Sequence, residues 1–117
     1  MTGAAPVLVA TCSAKPASAP KTWVLACADG NFWLSGLKWS DWGTAEAKAS
    51  GTAHANDCTP NCAAGHFHTA RVTVMLSALR TCDGRRQYAK LEVEYAPGTP
   101  AVFKPQPLRE AVGCSYP

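Results

Sequence analysis

The stretch AEAKASGTAHA, residues 45–55, decides the fold. Ala45, Ala47, Ala49, Gly51, Ala53 and Ala55 occupy one parity, and Glu46, Lys48, Ser50, Thr52 and His54 the other. Alanine favours helices intrinsically, so an amphipathic helix is the competing reading. Strict period-two alternation, with Ser-Gly-Thr at its centre, instead predicts a strand. One face of that strand is a row of small side chains, which lets bulky neighbours approach at ordinary core density. Trp33 and Trp39 are the expected neighbours.

Upstream, Trp23 to Trp42 (WVLACADGNFWLSGLKWSDW) holds all four tryptophans. A buried aromatic of this kind removes roughly 150–250 Å² from water. At ~25 cal/mol per Å² that is several kcal/mol each before entropy is counted. The Asp29-Gly30 step predicts a tight turn, so the stretch reads as two strands folded about residues 28–31. Trp23 to Ala28, apolar on both faces, is expected to be a central strand covered on each side. Phe32-Trp33-Leu34 resumes the pairing, and Ser35-Gly36 predicts a bulge. Leu37 and Trp39 are assigned to the core. Trp42, beside Gly43, is expected to cap one end and to be the most exposed indole. Val7 to Cys12 reads as a first strand, and Ser13 to Thr22, with Pro16 and Pro20, as a surface connection without helix.

Downstream, Asn56 to Gly65 reads as a loop held by Cys58 and Cys62 around Pro60. The longest strand follows from Phe67, with Val72, Val74, Leu76 and Ala78 on one face and Arg71, Thr73, Met75 and Ser77 on the other. Cys82-Asp83-Gly84-Arg85 is a hairpin turn signal. The returning strand is expected to place Ala89, Leu91, Val93 and Tyr95 inward and Tyr88, Lys90, Glu92 and Glu94 outward. Pro97, Pro100, Pro105 and Pro107 break the next segment into extended pieces, including Ala101-Val102-Phe103. A last short strand is expected near Leu108 to Cys114. The sum is one all-β domain over 1–117, with loose ends at 1–6 and 115–117. Seven to eight strands with short connections predict an antiparallel β-sandwich or small barrel, stapled by disulfides.

A chain of 117 residues carries one domain, large enough for a core but small enough to want reinforcement. Its 11 Lys and Arg against 8 Asp and Glu give a charge of +3. That is far from the dense basic face of a nucleic-acid binder, and no nucleic-acid partner is expected. No apolar run is long enough to form a transmembrane segment. Met1-Thr-Gly-Ala-Ala-Pro6 lacks the basic start and long apolar run of a secretory leader, so a leader, if there is one, is expected to have been removed. Six cysteines, Cys12, Cys27, Cys58, Cys62, Cys82 and Cys114, span the chain. An even count in a short chain predicts a disulfide framework and a secreted, extracellular protein. Zinc is the alternative, but Cys58 and Cys62 have no second ligand pair at zinc-finger spacing. Sequence does not choose among the fifteen possible pairings. We favour Cys12–Cys27, Cys58–Cys62 and Cys82–Cys114, although a tight hairpin would not set Cys12 opposite Cys27.

The combination Cys27-Ala-Asp29-Gly30, then Trp39-Ser-Asp-Trp42-Gly43, then Cys58-Thr-Pro60-Asn-Cys62-Ala-Ala-Gly65 resembles a group of small secreted actinobacterial proteins. Their pattern is CxDG, then W-S-x-W, then C-x-P-x-C-A-x-G, followed by a strand and a Tyr-containing hairpin strand. The resemblance covers Pro6 to about Tyr95. It implies export and disulfides, and it brings no catalytic residue.

Three candidate chemistries follow from residue types. His66 and His68 stand at i, i+2 on one strand face with His54 nearby, a weak pattern for zinc or copper. No cofactor is expected. Asp29, Asp41 and Asp57 are the candidate carboxylates for a hydrolase, but each sits in a turn-like context where bonding to the backbone explains it. No serine lies in G-x-S-x-G. Arg80, Arg85, Arg86 and Lys90 gather at the hairpin tip, and with Trp42 and Tyr88 they form the expected binding surface, since aromatic and Arg side chains lead at interfaces. The expectation is therefore a secreted, non-enzymatic binding or adaptor domain. Its partner is another protein or a cell-surface glycan, and a larger toxin-like assembly would suit it. A small hydrolase or metal-binding protein using Asp and His is the alternative.

Overall fold

A computed structural model describes residues 6–13 and 15–114. The expected loose ends lie outside these residues, apart from Pro6. Six strands form one antiparallel sheet in sequence order: β1 (Trp23–Val24), β2 (Phe32–Ser40), β3 (Glu46–Asn56), β4 (Phe67–Cys82), β5 (Arg85–Tyr95) and β6 (Leu108–Ala111). The sheet curls into a half-barrel with no helix among the described residues. This is the expected all-β class, with six strands in one sheet rather than seven or eight.

Residues 45–55 are strand, as their alternation predicts. Ala47, Ala49, Ala53 and Ala55 are buried on the concave face, while Glu46, Lys48 and Ser50 are exposed. Leu34 stands opposite Ala53, Trp39 opposite Ala49, Val74 opposite Ala49 on the other side, and Leu76 opposite Ala47. The register shifts between Ser35 and Lys38, the expected bulge, with Gly36 at φ 60°. The shift turns Leu37 inward over Gly51. A methyl group on Gly51 would lie 2.7 Å from Leu37 Cδ2 and 2.8 Å from the Ser35 carbonyl oxygen. A curled sheet crowds its concave side, and this small-residue row removes the crowding where curvature needs it.

Three tryptophans face inward and tie the N-terminal segment to the sheet. The indole N–H of Trp23 donates to the Ala10 carbonyl (3.1 Å), that of Trp39 to Pro20 (2.7 Å) and that of Trp42 to Val7 (2.8 Å). Trp33 is different. It pairs with His54 on the convex face, their rings stacked 3.6 Å apart at 2°, so the expectation that it lies against the alanines is corrected. Parity explains this: Leu34, not Trp33, shares the face of Ala53.

Several boundaries also differ. β1 is a two-residue edge strand, not a central one: the N–H groups of Leu25 and Ala26 both donate to the Phe32 carbonyl, which ends the ladder in a turn. Val7 to Cys12 is a strap rather than a sheet strand, bridging Leu8 to Gln87 and Val9 to Ala17. Tyr88, expected outward, is completely buried. Ala78 has φ 60°, and across it the inward phase passes from Leu76 and Leu91 to Leu79 and Tyr88; Ala78 itself is exposed. Trp42 is half-buried, edge-on to both Trp39 and Tyr88. Residues 97–107 form turns and bends, not extended pieces.

The three disulfides are the favoured pairs. Cys12–Cys27 joins the strap to the β1–β2 connection, and Cys82–Cys114 staples the tail to the β4–β5 hairpin. The hairpin turn has Asp83 at φ 49° and Gly84 at φ 77°, the positive pair of a type I′ turn.

Gly51→Ala should destabilise the protein by about 1–3 kcal/mol, the usual cost of overpacking, although alanine is the better strand and helix residue. Urea unfolding followed by tryptophan fluorescence measures it; an unchanged midpoint would show that Leu37 does not rest on Gly51.

Candidate binding site at the mouth of the half-barrel

In an alternating antiparallel sheet, the start of β2, the end of β3, the end of β5 and the start of β6 gather at one end. Phe32, Ala55, Tyr95 and Leu108 stand there in register: Phe32 opposite Ala55, and Leu108 opposite Val93. The segment 97–107 folds over this end. Its four prolines lack N–H groups, and the Gln106 side chain gathers the carbonyls left behind, donating to Phe103 at 2.7 Å and Pro100 at 3.2 Å. Phe103 is thereby pushed inward, 1% exposed. Its ring meets Phe32 edge-on (6.5 Å between centroids) and Tyr95 at a tilt (5.5 Å).

Between this segment and the β1–β2 connection lies a cleft of about 490 Å³, floored by Phe32, Tyr95 and Phe103, with Asn31, Lys104 and Glu110 at its rim. Burial, and secondarily the Glu110 carboxylate, pushes the Tyr95 pKa up to about 12. A phenol is protonated at neutral pH in any case, so this hydroxyl is available as a donor. Asn31 is held by the Asn56 amide, which donates to Asn31 Oδ1 (3.1 Å) and to the Cys62 carbonyl (2.8 Å). The volume lies within the range of ligand clefts, and an aromatic floor with few polar rim groups is their usual composition.

The rim is braced by the Cys58–Cys62 loop. Asp57 Oδ1 accepts the N–H groups of His66 and Thr59 (both 3.0 Å), and Oδ2 stands 2.9 Å from His68 Nε2. His66 Nδ1 is 4.0 Å from the same oxygen. These bonds, the His66 N–H first, hold the Asp57 carboxyl well below the usual carboxylate range. So His66 and His68 do converge, on a carboxylate that organises a loop. His54 stands apart on the convex face, stacked on Trp33 and bonded to Ser35 Oγ (2.8 Å), its pKa lowered by burial. Among the described residues no group of three His, Cys, Asp or Glu side chains is placed to hold a metal ion. Asp29 accepts the Asn31 N–H (3.0 Å) and Asp41 sits in a turn at φ 59°.

Of the expected binding surface, Arg80, Arg85, Arg86 and Lys90 are exposed. The Arg80 guanidinium lies 3.5 Å from the Val112 carbonyl. Tyr88 and Trp42 belong to the interior at the opposite end from the mouth. The Tyr88 hydroxyl donates to the Thr44 carbonyl (2.7 Å) and accepts the Gly43 N–H (2.8 Å). The residues that sequence reasoning missed are Asn31, Phe32, Tyr95 and Phe103. Phe103 among four prolines was the one signal present, an aromatic in a segment that cannot complete a sheet ladder. No protein-family model, curated protein or solved structure matches the chain.

A depressed carboxyl pKa stabilises the folded state above the unfolded value near 4, and that contribution is lost as pH falls toward the native value. Asp57→Asn keeps the N–H acceptor but not the charge. Its unfolding midpoint should fall less steeply than the wild type's below about pH 4; parallel profiles in acid denaturation would show that the Asp57 charge braces nothing.

Proposed function

We propose that this protein is an exported, non-enzymatic binding domain that holds a partner protein at the mouth of its half-barrel, as an adaptor in a larger secreted assembly. The observation that carries this reading is the aromatic-floored cleft of about 490 Å³. It offers a preformed seat for a large apolar side chain and donors from Tyr95 and Asn31 to orient what enters. Large side chains in such seats dominate interface energies. The three disulfides support an oxidising compartment. The exposed Arg80, Arg85 and Arg86 would add long-range steering toward an acidic partner rather than the seat itself. A surface glycan is the second reading, favoured by protonated Tyr95 and the Asn31 amide beside aromatic faces.

The test is affinity capture from the native secretome with three proteins: wild type, Val102→Glu at the cleft, and Lys48→Glu on the convex face. Wild type and Lys48→Glu should retain one stoichiometric partner, and Val102→Glu should lose it by about tenfold or more, equivalent to ~1.4 kcal/mol. If nothing is retained and the protein degrades members of a polysaccharide or peptide panel, the binding reading fails.

A further inference from the structure

We propose that Ser35 is an activated nucleophile with His54 as its general base, and that it takes up an acyl group from a carboxylic ester whose acyl chain is apolar. Each chain is acylated once. The event is a modification rather than a turnover, and it goes beyond the binding reading of the mouth without resting on it. Ser35 and His54 lie on the convex face of the sheet, whereas Phe32 and Phe103 lie inside the curl. Ser35 Oγ stands 2.8 Å from His54 Nε2, within the reach that a nucleophile and its base require.

Three features of the fold prepare the pair. The first is orientation. Trp33 stands directly opposite His54, and its indole lies parallel to the imidazole with centroids 3.6 Å apart. The ring is thereby held by its face, with Nε2 at the serine two places along β2. The second is protonation. Burial lowers the His54 pKa, so the imidazole is neutral at pH 7 and can accept a proton. On this face β1 contributes Val24, β2 contributes Lys38, and β4 contributes Thr69 and Arg71. None of these is a carboxylate that would hold an imidazolium, and Asp57, past the end of β3, is engaged by His66 and His68. The third is access. Pairing between β2 and β3 lapses after Ser35–Thr52 and resumes at Lys38–Ser50. Gly36, inside that lapse, is exposed, and a Cβ there would meet nothing within 4 Å. Ser35 therefore borders an opening in the ladder.

The acyl class follows from what surrounds the pair. Among the described residues, Val24 at 38% and Phe67 at 53% are the large hydrophobic side chains left exposed. Both belong to this face. Val24 is opposite Trp33, and Phe67 is two residues along β4 from Thr69, which is opposite His54. Residues two apart on a strand share a face, so the pair is flanked by apolar surface that an acyl chain would cover. The reaction balances without another reagent. Ser35 Oγ bonds to the ester carbonyl carbon as its hydroxyl proton passes to His54 Nε2, in the tautomer that carries its hydrogen on Nδ1. The oxyanion forms on a face whose nearest charges in register are cationic, Lys38 and Arg71. The bond from the carbonyl carbon to the alkoxy oxygen then breaks, and the leaving oxygen takes the proton from Nε2 and departs as an alcohol. Acyl-serine and neutral histidine remain.

The probe is para-nitrophenyl hexanoate, incubated with the full chain, with the acylated residue located by peptide mass mapping. The expected result is a hexanoyl group on Ser35, formed with release of para-nitrophenol. Its rate should rise with pH and level off, with a midpoint below the ordinary histidine value near 6.5. That plateau marks an imidazole base rather than hydroxide. His54→Gln keeps a side chain that can bond Ser35 but cannot take its proton, and should slow labelling by about a hundredfold or more. Ser35→Ala should abolish it. The acetyl ester should react about tenfold more slowly, because it leaves Val24 and Phe67 uncovered; equal rates for the two esters overturn the apolar acyl class. Labelling scattered over lysines, tyrosines and several serines overturns the inference, as does a Ser35 rate that keeps climbing through about pH 8. The pH profile needs only the wild-type chain, so it decides even where His54→Gln fails to fold.

Discussion

The contact that the rest of the structure depends on is the seating of Leu37 on Gly51. Leu37 can face inward only because the chain bulges at Gly36, and it can approach β3 only because Gly51 has no side chain. With Ala47, Ala49, Ala53 and Ala55 on the same face, β3 becomes a strand that neighbours can fold over from both sides. β2 supplies Leu34 and Trp39 from one side, and β4 supplies Val72, Val74 and Leu76 from the other. Concave curvature is thereby concentrated at the middle of the sheet, where crowding would otherwise oppose it.

Curling creates an interior that must be filled from its ends. At the closed end the filling is Val7, Val9, Trp42 and Tyr88, with ring-to-backbone bonds from Trp42 to Val7 and from Tyr88 to Thr44. Each indole-to-carbonyl bond is worth about 1 kcal/mol net, and two of them, from Trp23 to Ala10 and from Trp42 to Val7, hold the strap together with Cys12–Cys27. A bridge closing a loop of that length contributes about 3 kcal/mol in the chain-entropy account. At the open end Phe103, carried by a segment that makes no ladder, packs onto Phe32 and Tyr95. One end is therefore closed by backbone pairing and the other only by a proline-rich flap. That asymmetry leaves the cleft where it is.

Much of this was legible in sequence. Period-two alternation over 45–55 and 71–77 identified the two central strands, Ser35-Gly36 the bulge, and Asp83-Gly84 the hairpin. The favoured cysteine pairing is the one observed. What was not legible has physical causes. Trp33 and Leu34 are equally apolar, so composition did not say which of the two faces the alanines; register decides that, and one residue's slip exchanges the faces. Tyr88 looked outward because alternation was extended through Ala78, whose left-handed backbone breaks the phase. The Val7 to Cys12 run looked like a strand because it is extended and apolar, and such a run does not reveal whether its partner is a ladder or a pair of indoles. The mouth was invisible because Asn31 and Phe32 are far in the chain from Tyr95 and Phe103, and the two pairs are joined only by the curl.

The curl itself is therefore the claim to measure. Nuclear Overhauser contacts between the Leu37 δ-methyl protons and the Gly51 α-protons report it directly. The account predicts strong cross-peaks between these groups, together with contacts from Leu34 to Ala53. Gly51 α-protons that see no Leu37 methyl would place the two strands in another register and contradict the half-barrel.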